Sequence, residues 1–352
     1  MLFWTKLEAW YNDFGRTLPW RGIDDAYRIW VSEIILQQTR IEQGRDYYHR
    51  FVEAFPTVAA LAAASEAQVL RQWQGLGYYS RARNMHAAAK YVMEELGGHF
   101  PDSYEGLLLL RGVGSYTAAA IASFAYRLPY PVIDGNVYRF ISRLYGLSTP
   151  IGTPAAYREF EQLLLRLIDR QRPDRFNAAL MDFGSLQCRP QPTCEECPFA
   201  AECVARREGR VALLPVKAPK AKPQERWLYY IDLRWRHEDE TFGLMRRRSG
   251  QGIWRGLYEF TLLEYEKPLG DAALRRELRK CLDERYGCGG AAYEVGDEWQ
   301  HQLTHRTLHV RFVKVELAAK PLRQPEEMQV LSLTEMKKVP VPRLIDRYLQ
   351  QL

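Results

Sequence analysis

Four cysteines, Cys188, Cys194, Cys197 and Cys203, fall within sixteen residues, with Pro190, Pro192 and Pro198 between them. Thiolates this close can meet at one metal centre without help from distant parts of the chain, and the helices around them must then pack against that staple. The intervening gaps are five, two and five residues. Zinc ribbons usually show two C-x2-C knuckles. A single knuckle with longer arms favours a 4Fe-4S cluster, whose cubane accepts one thiolate per iron. Zinc is the second reading and unliganded thiols the third.

The reading of these thiols depends on the compartment. The chain has no run of about 18 apolar residues, and its opening MLFWTKLEAWYNDFGR breaks into charge too early for a secretory signal. A cytoplasmic chain with no membrane partner is expected. There, cysteines serve as ligands, buried thiols or reactive thiols rather than as disulfides. Cys281 and Cys288 read as a buried thiol and a loop thiol, and His301 and His309 as strand or loop residues. With 352 residues, 47% hydrophobic and 26% charged, the chain can build two or three soluble domains. Its net charge of +6 leans toward a polyanionic partner, a weak signal by itself.

Up to about Arg207 the pattern is helical. Between Arg206 and Arg226 seven basic residues face two acidic ones, among Pro215, Pro219 and Pro223, which reads as a linker able to touch phosphate or as a solvated connector. Beyond it, Trp227–Trp235, Thr241–Arg246, Leu257–Leu262 and Thr307–Leu317 read as strands. Leu274, Leu278 and Leu282 set a helix over Asp271–Tyr286. The expected division is a helical region over 1–207, with the cysteine loop at 188–203, then a basic linker over 208–226 and a mixed domain over 227–352.

Within the helical region, Leu110 to Asn136 reads LRGVGSYTAAAIASFAYRLPYPVIDGN. Gly112 and Gly114 mark a turn between helices, and such a turn can hold a phosphate through backbone N–H groups. Asp134 precedes Gly135 and Asn136 at a helix start, where a carboxylate is favoured in its ionised form. The plain alternatives are a helical hairpin and an N-cap aspartate. Glu33 lies in the apolar helix DAYRIWVSEIILQQTR (Asp25 to Arg40), where burial should raise its pKa and suit it to act as a general acid. The alternative is an ion pair with Arg21. Gln37, Gln38 and Thr39 follow at the helix end. GLGYY (Gly75 to Tyr79), leading to Arg81 and Arg83, is a second glycine turn whose aromatics suit base stacking.

Taken together, LRGVGSYTA, VIDGN and the cysteine loop resemble the helix-hairpin-helix DNA glycosylases that carry an iron-sulfur cluster, the endonuclease III superfamily. LPWR (Leu18 to Arg21), VSEIILQQTR (Val31 to Arg40), GLGYYSRARN (Gly75 to Asn84) and the second domain are similar to the MutY-type adenine DNA glycosylases within it. The resemblance implies a mainly α N-terminal region, comprising a six-helix barrel and an iron-sulfur domain with the helix-hairpin-helix, followed by an α+β Nudix-like domain. It implies a monomeric base excision repair enzyme that removes adenine opposite 8-oxoguanine or G in double-stranded DNA, associated with the nucleoid if bacterial.

The roles implied are specific. Glu33 protonates the flipped adenine at N7, and Asp134 stabilises the oxocarbenium-like sugar or bonds it transiently. Tyr116 and Asn136 support them, and Arg21 lines the base pocket. Gln38 and Tyr78 fill and wedge the vacated stack, and Gly112 and Gly114 anchor phosphates. Leu303, Thr304 and His305 inspect the opposite strand. The four cysteines hold the 4Fe-4S cluster. Endonuclease III enzymes carry a Lys directly before the hairpin's Thr-Ala, where this chain has Tyr116, so no Schiff base forms and the strand stays uncut. The helix DAALRRELRKCLDERYG lacks the paired glutamates of hydrolytic Nudix enzymes, so pyrophosphatase activity is not expected.

Three departures from the family pattern stand out. The first cysteine gap is five residues where six is usual. Thr304 stands where Ser is usual, with Leu303 in place of an aromatic. Ala178, in FNAALMDFG, stands where Gln or Glu contacts the adenine. Two alternatives follow: a glycosylase of the same superfamily for another lesion or mismatch, and a catalytically silent DNA-binding iron-sulfur protein.

Overall fold

A computed structural model describes residues 2–219, 222–250, 252–303 and 305–352. The chain forms two compact units, one of Met1–Ala64 with Asn84–Pro219 and one of Ser65–Arg83 with Lys220–Leu352. A short helical stretch from the first hundred residues therefore belongs to the second unit.

The helices run in the order α1 (Leu2–Phe14), α2 (Ala26–Leu36), α3 (Ile41–Ala54), α4 (Val58–Ala63), α5 (Glu66–Gln72), α6 (Ser80–Glu95), α7 (Tyr104–Leu108), α8 (Ser115–Tyr126), α9 (Gly135–Tyr145), α10 (Pro154–Leu167), α11 (Pro173–Asp182) and α12 (Val204–Arg207). In the first unit α2 is the central rod. Asp25 caps it by accepting from Arg28 N at 3.0 Å, and every residue from Ile29 to Ile35 is buried. A helix apolar on all sides belongs inside a core. It packs on α8, whose buried Ala118, Ala119, Ala120 and Ala122 are small enough to let the two helices lie close.

The helix expected over Asp25 to Arg40 stops at Leu36. Gln38 adopts φ +59°, a left-handed conformation that ends the helical hydrogen bonding and leaves Gln38 exposed between the half-buried Gln37 and Thr39.

A second core joins the two ends of this unit. Leu7 and Trp10 of α1 pack with Phe140, Phe160, Phe176, Phe183 and Phe199 and with Cys188. The ring of Phe183 lies 4.3 Å from Phe140 and 5.3 Å from Phe199, centroid to centroid. The basic stretch does not leave this unit at once. The Leu214 carbonyl accepts from Arg143 Nε at 3.0 Å and the Val216 carbonyl from Ile151 N at 2.9 Å.

In the second unit the described strands are β1 (Gln224–His237), β2 (Glu240–Arg247), β3 (Tyr258–Glu259), β4 (Thr261–Tyr265), β5 (Tyr293–Val295), β6 (Trp299–Gln302), β7 (Arg306–Leu317) and β8 (Met328–Ser332). They form one sheet, ordered β3-β2-β1-β7-β5, with β4 on β1, β6 on β7 and β8 on β2. The long strands β1 and β7 run parallel from Gln224↔Arg306 to Trp235↔Leu317. The stretch expected over Leu257–Leu262 is broken at Phe260 into β3 and β4.

The helix α13 (Asp271–Tyr286) covers one face through Leu274, Leu278 and Leu282. Two short helices follow, α14 (Leu333–Met336) and α15 (Arg343–Leu349), and α15 covers the other face with Leu344 and Ile345. This is the mixed Nudix-like architecture expected. Among the described residues no helix is long and apolar enough to cross a membrane.

Candidate active site

The first unit contains a cleft of about 760 Å³ lined by Arg21, Glu33, Gln37, Gln38, Tyr116, Asp134 and Asn136. Residues more than a hundred positions apart thus face one volume, because α2 lies against α8 and the loop after α8 returns Asp134 to the same side.

Glu33 is 6% exposed. Burial, joined by the Asp134 charge, pushes its carboxyl up to about 7, against the Tyr116 hydrogen bond and the Arg21 charge. The Tyr116 hydroxyl is pushed well above its ordinary value by burial and by the charges of Glu33 and Asp134. It therefore stays protonated and donates to Glu33. Arg21 does not make the ion pair with Glu33 considered from the sequence. Its Nη2 lies 3.2 Å from Asp182 Oδ1, and Asp182 also accepts from Arg16 N at 2.8 Å and Arg16 Nε at 3.0 Å. The buried Ala178 turns only its carbonyl toward Arg21, at 3.5 Å.

Asp134 caps α9. Its Oδ1 accepts from Asn136 N at 2.8 Å and Val137 N at 2.7 Å, and its Oδ2 from Asn136 Nδ2 at 2.7 Å. The helix start was expected to keep this carboxylate firmly ionised. Instead burial pushes it above its ordinary value, against the hydrogen bonds of Val137 and Asn136 and the Arg139 charge. Desolvation outweighs the cap. Asp134 still holds more donors than Glu33, so when the two compete for one negative charge it settles on Asp134.

Sequence reasoning missed the layer behind Asp134. Arg139 Nη2 donates to Asn136 Oδ1 at 2.8 Å and Gly184 O at 2.5 Å, and its Nε to Cys188 O at 2.8 Å. Arg143 Nη1 donates to Arg189 O at 2.6 Å and approaches Cys188 Sγ to 3.6 Å, and its Nη2 donates to Pro190 O at 3.0 Å. Asn136, Arg139 and Arg143 recur at helical spacing on α9, the signal that could have placed both arginines on one inward face. The four cysteines line one apolar cavity with Phe140, Phe183, Phe199 and Arg143. Among the described residues no three Cys, His, Asp or Glu side chains converge on a single-ion position. Four thiols on one apolar cavity are a donor set that fits a four-iron cluster, which takes one thiolate per iron.

The remaining expected residues lie on the surface. Gly112 has φ +85°, and a Cβ there would meet Asn84 Cβ at 2.8 Å, so the turn admits only glycine. Gly114 caps α8 with no side-chain partner, which leaves the first-turn amides open to an external acceptor. Gln38 and Tyr78 share an uncommon property, positive φ in a residue other than glycine, +59° and +47°. Backbone held in this region is strained and clusters at working sites. Tyr78 is 45% exposed and lies in the second unit. His305 is exposed beside β7, and its carbonyl accepts from Gln224 N at 2.9 Å. Thr304 lies outside the described residues.

The HhH-GPD superfamily of base excision DNA repair proteins matches residues 31–168, and the NUDIX domain family matches residues 233–351. An adenine DNA glycosylase of Rattus norvegicus is 42% identical over 226 residues, which cover 60% of this chain and 44% of that protein. One of Arabidopsis thaliana is 32% identical over 355 residues, covering 88% and 56%. The chain thus spans about half the length of these two relatives. A thermostable thymine-DNA glycosylase superposes with a TM-score of 0.55 at 26% identity, over 59% of this chain and 96% of that one. A trapped endonuclease III–DNA covalent intermediate, 20% identical over 59% of this chain and 97% of that one, matches in fold with a TM-score of 0.51. An adenine DNA glycosylase of Buchnera aphidicola subsp. Baizongia pistaciae is 30% identical over 318 residues, covering 88% of this chain and 85% of the relative. That match spans both units, and with the two domain families in the same order it shows that the chain belongs to the adenine DNA glycosylase family.

Proposed function

We propose that the protein hydrolyses the N-glycosidic bond of adenine mispaired with 8-oxoguanine or G in duplex DNA, acting as a monomer in the compartment that holds the DNA and leaving the strand intact. The observation that carries this reading is the pair of carboxylates with opposite tasks on one cleft: Glu33 raised to about 7, and Asp134 supplied with three donors.

An adenine inside the stack hides its glycosidic bond and must be flipped out. The Gly112–Gly114 turn offers its open amides to the phosphates. Gln38 and Tyr78, already in strained exposed conformations, enter the vacated stack. Glu33, held protonated by burial, gives its proton to N7 of the base, which leaves as a neutral group. Positive charge develops on the sugar, and the Asp134 carboxylate stabilises it. Water then completes hydrolysis. Tyr116 keeps the Glu33 carboxyl in place, Asn136 holds Asp134, and Arg21, anchored on Asp182, lines the base pocket. No amine stands at the hairpin position filled by Tyr116, so the sugar has no nitrogen nucleophile and the backbone stays whole.

Cys188, Cys194, Cys197 and Cys203 would hold a 4Fe-4S cluster. When bound it supplies a structural staple at the base of the Phe183 core, and no step of the hydrolysis passes through it. Leu303, Thr304 and His305 would inspect the opposite strand. Ala178 supports one second reading, a base pocket of relaxed specificity, because no side-chain hydrogen bond from that position selects adenine.

The test is to incubate the protein with duplexes carrying A opposite 8-oxoguanine, A opposite G and a pyrimidine lesion, with and without alkali. Breaks at the first two only after alkali support the reading. Excision confined to the pyrimidine lesion, breakage without alkali, or no excision overturns it.

A further inference from the structure

Tyr78 belongs to the unit that carries the Leu303–His305 stretch, not to the one that carries Glu33 and Asp134. Four contacts reach across the sequence to hold it there. Tyr79, 3% exposed, donates its hydroxyl to the Val341 carbonyl at 3.2 Å. Gln74 is fixed at both ends of its amide: Nε2 donates to Asp346 Oδ1 at 2.7 Å and Oε1 accepts from Arg71 Nη1 at 2.6 Å. Arg83 Nη1 donates to the Arg255 carbonyl at 2.5 Å, and Arg247 pairs with Glu66 at 2.7 Å. A Cβ on Gly256 would come 3.0 Å from Glu66 and 3.3 Å from Leu70, so α5 sits tight against that loop.

Between two of these anchors, Gln74 and Tyr79, the backbone makes a strained corner. Gly75, Gly77 and Tyr78 all have positive φ, +95°, +72° and +47°. Strain of this kind persists only where the surroundings over-determine it. The surroundings here are Val341, Asp346 and Trp73, whose indole Nε1 donates to Gly77 O at 3.0 Å. Arg81 then places its guanidinium 5.4 Å from the Tyr78 ring.

We infer that Gln74 and Tyr79 are positioning residues for Tyr78, so that insertion of the Tyr78 wedge and reading of the opposite base are two actions of one rigid piece. This rests on the wedge role proposed above. A unit that meets 8-oxoguanine through Leu303–His305 carries Tyr78 with it. A unit that fails to seat on the opposite base leaves the wedge out of register. Preference for 8-oxoguanine over G then depends on residues that touch neither base.

The test uses the full chain and a duplex with 2-aminopurine beside 8-oxoguanine in the opposite strand, whose fluorescence rises when the wedge unstacks it. Excision opposite 8-oxoguanine and opposite G is measured in parallel. Tyr79→Phe keeps the ring and deletes the hydroxyl; Gln74→Met keeps the volume and deletes the donor. Each should lower both the fluorescence rise and the preference for 8-oxoguanine by about threefold to tenfold, the worth of one hydrogen bond. Neither should have any further effect in a Tyr78→Ala background. Equal losses in that background, unchanged signals in the single variants, or no fluorescence rise with the wild-type protein would each overturn the inference. A wild type that raises the fluorescence but excises no adenine refutes the functional reading alone, and the fluorescence cycle still decides this inference.

Discussion

Replacing Glu33 by Gln should abolish excision and at the same time stabilise the protein, by an amount that grows as pH rises from about 4.5 and is complete above about 7. The wild-type carboxyl is pushed from an ordinary 4.5 to about 7, mainly by burial. Between those values the native state holds a proton that the unfolded chain has already released, so stability falls as pH rises through this window and the full cost is present above it. At about 1.36 kcal/mol per pH unit the window amounts to about 3 kcal/mol. Glutamine never ionises and escapes that cost, and its amide oxygen still accepts from Tyr116. For a unit of this size about 3 kcal/mol is roughly 6–12 °C in Tm, a ceiling reached if the amide packs as the acid does. The assay is a pair of thermal melts of wild type and variant at pH 5 and pH 8, beside single-turnover excision. The variant's advantage should grow by most of that amount between the two pH values. An advantage independent of pH, or a variant less stable at pH 8, would refute the claim that Glu33 is buried as a neutral acid. Excision by the wild type should fall as pH rises through about 7, since only the protonated carboxyl can serve as the acid.

Asp134→Asn should also stop excision while leaving DNA affinity within about twofold. Asn caps a helix about as well as Asp, so the melt should move by less than about 1 kcal/mol; a gel-shift titration with a calorimetric scan checks both. Arg139→Leu strips donors from Asn136, Gly184 O and Cys188 O and should cost about 1–3 kcal/mol of stability, with excision at least tenfold slower, read from melts and single-turnover rates. Gly112→Ala places a methyl against Asn84 at φ +85°. It should cost about 1–2 kcal/mol and weaken binding to matched and mismatched duplexes alike, as competition titrations would reveal. Protein purified without air should be brown and carry four irons per chain, and Cys197→Ser should lose both colour and several degrees of Tm. A colourless wild type with one zinc per chain would overturn the cluster assignment.

Much of the site could be read from the sequence because its residues carry their chemistry in local pattern. Glu33 stands out in an apolar helix, Asp134 at a helix start and the cysteines by spacing, and the cleft brings the first two together with Tyr116. The sign of the Asp134 shift could not be read that way, since desolvation depends on what covers the cap and not on the cap. Arg139 and Arg143 were missed because the cysteine loop that covers their side of α9 returns from some 45 residues further on. The strands β5, β6 and β8 are too short to show a period. That residues 65–83 join the second unit rests on partners such as Gln74 and Asp346, 272 positions apart, and no local pattern announces a contact at that range.

The core that unites Leu7 and Trp10 of α1 with Phe176, Phe183 and Phe199 has a consequence for how the chain is made. During synthesis α1 emerges before the rest of its unit, yet the surface it buries against is among the last of that unit to appear. Its apolar face must wait for roughly 190 further residues, about ten to forty seconds at ordinary translation rates. Throughout that interval the nascent chain carries an exposed aromatic helix ahead of the segments that cover it, a site for chaperone capture. The unit can close only when residues 188–203 have cleared the ribosome, so docking of α1 waits for the same stretch of chain that carries the four cysteines.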